Sequence, residues 1–130
     1  MTKDELLHKA SELLLGDERL TPADWVRLVV FARISDTQRG VDALVYTADR
    51  KHESLSPSTP QARDVLVQLR QQMANEDPQK RKWVVAMLQF DAQGDDVEMD
   101  ARFEYDNIDR WDITPSTMKQ VVEEFRPKGV

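Results

Sequence analysis

The chain has no cysteine, and this absence excludes several classes of site. A disulfide framework, a zinc site built from thiolates and a cysteine nucleophile all need a residue that is missing here. Glycine is also scarce, with four residues and none clustered, so there is no glycine-rich phosphate loop. The apolar run in the N-terminal segment MTKDELLHKASELLLGDE is too short and too interrupted by charge for a signal peptide or membrane helix. We therefore expect a cytoplasmic protein that does not bind membranes.

Length and composition predict one domain over residues 1–130. A chain of this length has room for one hydrophobic core, and its 40% hydrophobic and 32% charged residues are typical of a soluble globular protein. The sequence pI of about 4.9 argues against direct nucleic-acid binding. Phosphates would be repelled by an acidic surface, and no stripe of lysine or arginine compensates for it.

Charge of one sign is concentrated between Asp91 and Asp112. This segment reads DAQGDDVEMDARFEYDNIDRWD and contains nine acidic and two basic residues, so its formal net charge is −7. The whole chain carries −6, which leaves the remaining residues close to neutral. A field segregated in this way is a common means of attracting a basic partner.

The apolar periodicity predicts an α+β fold with three helices and four strands. Thr2 and Glu5 have the spacing of a capping box that opens the first helix. Short turns join the strands of each pair, which predicts a four-stranded antiparallel sheet of two hairpins. The order is α-β-β-α-β-β-α, with the helices mainly on one face. We expect helices at 3–15, 59–74 and 114–126, strands at 26–34, 41–47, 83–90 and 97–105, a turn at 91–96 and an exposed loop at 49–58.

The last strand alternates, so its two faces are expected to have different roles. Val97, Met99, Ala101 and Phe103 are predicted to anchor it in the core, with the acidic residues between them facing out. A solvated face that prevents edge-to-edge aggregation is the ordinary explanation for such charges. Like charges on one strand repel each other, however, so a run of them favours a binding surface. Trp111 is predicted as an aromatic anchor there, with a place against the last helix as the alternative. The predicted partner-binding residues are Glu98, Asp100, Glu104, Asp106, Asp109 and Trp111.

The sequence contains no recognisable catalytic or metal-binding set. His8 and His52 lie in different elements, and neither forms a Ser-His-Asp or lysine-based arrangement. The acidic run does not match the ligand spacing of a calcium loop. We predict that the protein is not an enzyme and has no cofactor and no metal.

Four segments together suggest a family. Trp25 leads into VRLVVFARI, KWVVAMLQF follows the second helix, and the chain then continues through FEYDNIDRWDITP to FRPKG. From about Trp25 to Pro127 this order resembles the YezG-like immunity proteins and related immunity proteins of contact-dependent growth inhibition and other polymorphic toxin systems. The resemblance implies a monomeric cytosolic antitoxin that binds one toxin domain, a nuclease, in a 1:1 complex. It assigns no individual binding residue, and the loop 49–58 has no counterpart in the family pattern.

Two other functions remain open. A small acidic secretion chaperone would act as a dimer and bind its effector in an apolar groove, with Val29 and Phe31 forming the dimer surface or groove. A small hydrolase or metal-dependent factor would need a convergent pocket around His8 or His52. For the immunity function we predict that charge reversal at Asp100, Glu104 and Asp106 together weakens partner binding at least tenfold at low salt and leaves folding intact.

Overall fold

The first helix begins where its capping residues predict. In the computed structural model, which describes residues 1–128, helix α1 spans Lys3–Leu15. The Thr2 hydroxyl accepts the N–H of Glu5 at 3.1 Å, and the Glu5 carboxylate accepts the N–H of Thr2 at 3.2 Å. The predicted capping box is therefore confirmed, and the helix ends at the predicted residue, with Gly16 as its C-cap.

Five antiparallel strands form the sheet within the described residues. Their order across the sheet is β3-β2-β1-β4-β5, and each neighbouring pair is antiparallel. The predicted α+β class and antiparallel sheet are confirmed, whereas the predicted number of four strands is wrong. The strands are β1 (Trp25–Ile34), β2 (Arg39–Thr47), β3 (His52–Leu55), β4 (Val85–Gln93) and β5 (Asp96–Glu104).

The additional strand lies in the segment that was predicted to be an exposed loop. β3 pairs with β2 from Tyr46↔His52 to Ala43↔Leu55, and Arg50 turns the chain between them with a φ of 68°. Its sequence, HESL, has one apolar residue, and three of its four side chains are exposed. A short edge strand needs no apolar alternation because backbone pairing with β2 supplies its hydrogen bonds. Hydrophobic periodicity therefore gave no signal for it.

The remaining element boundaries differ from the predicted ones by a few residues. Helix α2 spans Gln61–Glu76 and is preceded by Pro60, so Thr59 does not cap it. Helix α3 spans Met118–Glu124 and begins after a turn at Thr114 rather than at Thr114 itself. The β4–β5 turn is tighter than predicted, because Gln93 pairs directly with Asp96 around Gly94, which has a φ of 62°. Gly129 of the FRPKG segment and Val130 lie outside the described residues.

Both faces of the sheet are covered, each by a different part of the chain. Helices α1 and α2 pack on one face, over core residues such as Leu28, Val30 and Leu88. The segment after β5 and helix α3 pack on the other face, over Val29 and Phe31. Two of the three helices, α1 and α2, therefore lie on one face, in agreement with the expectation that the helices lie mainly on one face, and α3 lies on the other. The apolar second face of β1, which the chaperone interpretation needs as an open surface, is fully buried by the chain itself.

Candidate protein-binding surface

The acidic residues lie along one border of the molecule. β5 is the last strand of the sheet, and the chain leaves it through a loop at 105–112. We call β5 together with the adjacent turn residue Asp95 and residues 105–112 the acidic edge. Asp100 is paired with Gln89 and Arg102 with Met87, so the even-numbered side chains of β5 point to the same face as α3.

Four of the nine acidic residues in the run are held in ion pairs. Asp91 contacts Arg27 at 2.5 Å, Asp100 contacts Arg102 at 3.2 Å, Glu104 contacts Arg110 at 2.9 Å, and Asp112 contacts Arg33 at 3.4 Å. The other five have no ion-pair partner among residues 1–128, and all five are exposed. These five exposed carboxylates are Asp95, Asp96, Glu98, Asp106 and Asp109.

Glu104 organises the loop that follows it. Its carboxylate accepts the N–H groups of Asp106 at 3.0 Å and Asn107 at 3.3 Å and also receives the Arg110 guanidinium. The hydrogen bond from the Asp106 N–H, followed by the one from Arg110, lowers the pKa of Glu104 to about 2. The side chain is only 15% exposed. Glu104 is therefore engaged inside the loop, and the sequence-based assignment of it as a free partner contact does not fit this geometry.

Trp111 is part of the core on the sheet face that α3 covers. It is 7% exposed, and its ring centroid lies 6.2 Å from that of Phe31. The Arg110 guanidinium covers the ring at 4.3 Å from its centroid. The prediction that Trp111 is exposed is wrong, and the alternative placement against the last helix is correct. Its φ of 61° is rare for a bulky residue, which indicates that packing against Phe31 and α3 holds the backbone there.

Three side chains of the sheet bind the segment that follows β5 to the sheet face that α3 covers. The guanidinium of Arg33 donates to the carbonyl of Ile108 at 2.7 Å, and that of Arg27 donates to the carbonyl of Phe125 at 2.8 Å. The Tyr46 hydroxyl donates to the carbonyl of Val122 at 2.7 Å. Burial raises the pKa of Tyr46 to about 12. Arg33 consequently holds the loop 105–112 at Ile108, between the exposed Asp106 and Asp109, while Arg27 and Tyr46 hold α3 and Phe125 against the sheet.

Sequence reasoning missed these three anchors, although two of them left a signal. Arg27 and Arg33 lie on the same face of β1 as Val29 and Phe31, at positions i and i+6 of a mostly apolar strand. An arginine at such a position has to find acceptors at the border of the core, because its guanidinium cannot be buried unpaired. Besides the carboxylates of Asp91 and Asp112, the acceptors are backbone carbonyls of a distant segment, which no sequence pattern identifies.

The predicted binding residues form a line rather than a cluster. Glu98 and Asp100 lie on β5, and Asp106 and Asp109 lie on the loop beyond its end. A strand advances roughly 3.4 Å per residue, so Glu98 and the end of β5 at Glu104 are separated by about 20 Å. The acidic edge therefore fits an extended, positively charged surface better than a single cationic group.

The comparisons with known proteins name no family for this chain. No protein-family model matches it, and no curated protein matches it at a significant level. The resemblance to immunity proteins thus remains a prediction from the sequence.

The two histidines do not contribute to a common site. His8 contacts Glu12 at 2.7 Å on the exposed side of α1, and both side chains are more than half exposed. His52 lies on β3, with its ring centroid 6.3 Å from that of Tyr46. Within residues 1–128, no group of three histidine or carboxylate side chains has a geometry that could hold a metal ion. The same residues include no helix that is long and apolar enough to cross a membrane.

Proposed function

We propose that this protein is an immunity protein that binds a folded toxin domain through the acidic edge and neutralises it. The observation that carries the proposal is the row of five exposed carboxylates without ion-pair partners among the described residues. The partner has a basic surface, is a nuclease domain of a polymorphic toxin system, and forms a 1:1 complex in the cytoplasm with one copy of this chain.

The support for this proposal is electrostatic. A nuclease carries a basic surface because it binds phosphates, and a line of carboxylates can occupy that surface in place of the nucleic acid. Charge complementarity mainly accelerates association and selects the partner. An inhibitor of a delivered toxin needs both, since it must bind before the toxin reaches its substrate.

The rigidity of the acidic edge supports the same function. Glu104, Arg33 and Trp111 hold the loop 105–112 against the sheet, so Asp106 and Asp109 are presented in a fixed arrangement. A surface arranged before binding loses less conformational entropy when the complex forms. The chaperone alternative lacks this kind of support, because its expected groove at Val29 and Phe31 is buried.

We expect the neighbouring gene to encode a toxin, and co-expression with the C-terminal domain of that toxin tests the proposal. We expect the C-terminal domain of that neighbouring protein to arrest growth alone and to be tolerated in the presence of this chain. We also expect the two purified folded proteins to form a 1:1 complex by gel filtration with light scattering. A chain that binds only an unfolded segment of the effector, as a dimer, would contradict the immunity function and favour a chaperone.

A further inference from the structure

The outer edge of β5 is a continuous strand edge without a partner strand in the described residues. All nine residues, Asp96–Glu104, pair with β4 in one unbroken register, and β5 contains no proline. Within residues 1–128, no strand pairs with the other side of β5. Such an edge presents unused N–H and C=O groups that can add another strand.

The tight β4–β5 turn determines which groups point outward. Gln93 and Asp96 flank a two-residue turn with Gly94 at a φ of 62°, which is typical of a hairpin whose flanking residues exchange hydrogen bonds. Hydrogen-bonded and non-hydrogen-bonded pairs alternate along an antiparallel ladder. The backbone groups of the even-numbered residues of β5 therefore face β4, whereas those of Val97, Met99 and Ala101 face outward.

Apolar side chains accompany these outward backbone groups. Val97 and Met99 are each 42% exposed, although they lie on the same sheet face as helices α1 and α2. They border a groove of about 320 Å³ between α1 and β5, whose floor includes Leu7, Leu15 and Phe90. Protection of a strand edge by charge accounts for the even-numbered carboxylates. It does not account for two large apolar side chains left open beside the same edge.

The charges around this edge indicate which kind of strand can bind there. β5 itself carries four acidic residues and one basic residue, and Asp4 and Glu12 of α1 line the opposite side of the groove. Pairing of β5 with β5 of a second copy would place like charges beside each other, which is unfavourable. A basic segment would instead place its positive side chains next to Glu98 and Asp100.

We propose that β5 receives an extended segment of the partner as a sixth strand, with alternating basic and apolar residues. The basic side chains would lie on the face of Glu98 and Asp100, and the apolar ones would enter the groove beside Val97 and Met99. This inference rests on the proposed function in one respect, because it takes the source of the segment to be the toxin domain. The pairing itself can be tested without any toxin.

A synthetic peptide of nine residues, the length of β5, that alternates lysine and valine is a suitable probe. We expect it to bind the wild-type protein at low salt and to slow hydrogen exchange of the Val97, Met99 and Ala101 amides, measured by NMR. A block peptide of the same composition, with the lysines together, is expected to bind at least tenfold more weakly. Equal binding of the block peptide, unchanged exchange at these amides, or no binding near 1 mM would each overturn strand addition.

A pair of variants at one position isolates the backbone contribution. Met99→Pro removes an outward N–H while leaving the bonds to β4 in place, and proline is tolerated where the N–H of an edge strand faces solvent. Met99→Thr removes the same apolar side chain but keeps the N–H. We expect Met99→Pro to weaken binding of the alternating peptide at least tenfold relative to Met99→Thr, and equal binding would overturn the proposal. If Met99→Pro does not fold, the exchange measurement on the wild-type protein decides.

The two proposals fail in different ways. If the toxin domain forms the 1:1 complex while the alternating peptide leaves the outward amides unprotected, immunity stands and strand addition is wrong. If the peptide protects those amides while the toxin domain does not bind, β5 accepts a basic strand and the proposed function is wrong.

Discussion

Replacement of Tyr46 by phenylalanine should destabilise the protein through a single lost hydrogen bond. The Tyr46 hydroxyl donates to the carbonyl of Val122 at 2.7 Å, and the side chain is fully buried. Tyr46→Phe keeps the aromatic packing and leaves that carbonyl without its donor. Such a loss lowers the free energy of unfolding by about 1–3 kcal/mol. For a domain of this length each kcal/mol corresponds to roughly 4 °C in Tm.

Urea denaturation followed by tryptophan fluorescence measures this loss, and the chain provides its own control. Tyr105 is the other tyrosine, it is half-buried, and its hydroxyl has no hydrogen-bond partner within residues 1–128. Tyr105→Phe should therefore change the free energy of unfolding by less than about 0.5 kcal/mol. Equal losses for the two variants would refute the argument that the bond to Val122 fastens α3 to the sheet.

The pH dependence of the same variant gives an independent check. Burial raises the pKa of Tyr46 to about 12, above its ordinary value of 10. A raised folded-state pKa means that the contribution to stability is complete below pH 10 and is lost as the pH rises towards 12, because the unfolded chain ionises first. The stability of the wild-type protein should therefore fall more steeply in this range than that of Tyr46→Phe. Parallel pH profiles would show that Tyr46 is not held as the structure indicates.

Three further substitutions test how the acidic edge is held in place. Glu104→Gln should lower the free energy of unfolding at pH 7. The difference from wild type should shrink as the pH falls from 4.5 towards 2, because the lowered pKa of Glu104 means that its contribution to stability is lost in that range. A constant difference in urea denaturation across this range would contradict the role of the Glu104 carboxylate in holding the loop 105–112. Arg33→Met should lower the free energy of unfolding by about 2–3 kcal/mol, because the carbonyl of Ile108 loses a charged donor, and hydrogen exchange should show the largest effect in residues 105–112. Trp111→Ala should lower the free energy of unfolding by about 3–5 kcal/mol, measured by thermal or urea denaturation. A loss below about 1 kcal/mol would mean that Trp111 does not contribute to the core between the sheet and α3.

Local sequence signals predicted much of the fold because they act over a few residues. The Thr2–Glu5 capping box, the turn at 91–96 and the apolar run of β1 each report on backbone geometry nearby. Their physical basis is a hydrogen bond within one turn, a glycine at positive φ and the fit of β-branched side chains to a strand that is buried on both faces. The antiparallel pairing of consecutive strands followed from the short turns.

The features that sequence reasoning missed depend on contacts between distant segments. β3 is held by pairing with β2 rather than by its own composition, and Trp111 is buried because Phe31 presents an apolar face 80 residues earlier in the chain. Glu104 was assigned to the surface because its neighbours alternate, whereas the loop turns back over it. Val97 and Met99 have the alternation of core residues, but α1 leaves them beside an open groove.

These corrections also change which carboxylates should be reversed to test the binding surface. The reversal first predicted from the sequence included Glu104, and its loss would disorder the loop as well as change the charge. Asp100 is paired with Arg102, so reversing it would also break an ion pair. Glu98, Asp106 and Asp109 are exposed and have no ion-pair partner in the described part of the chain. Reversing their charges therefore changes the electrostatic field of the acidic edge without breaking an ion pair.

The most direct measurement is the dissociation constant, by calorimetry at low salt, for the toxin domain that the co-expression experiment identifies. We expect Glu98→Lys, Asp106→Lys and Asp109→Lys together to weaken binding at least tenfold, a difference of about 1.4 kcal/mol. A control with Asp24→Lys, Asp36→Lys and Glu53→Lys makes the same change in net charge at exposed positions outside the acidic edge, and these three residues also have no ion-pair partner within residues 1–128. It should change the dissociation constant much less. Equal weakening by both triple variants, or none by the first, would contradict the claim that the acidic edge is the binding surface.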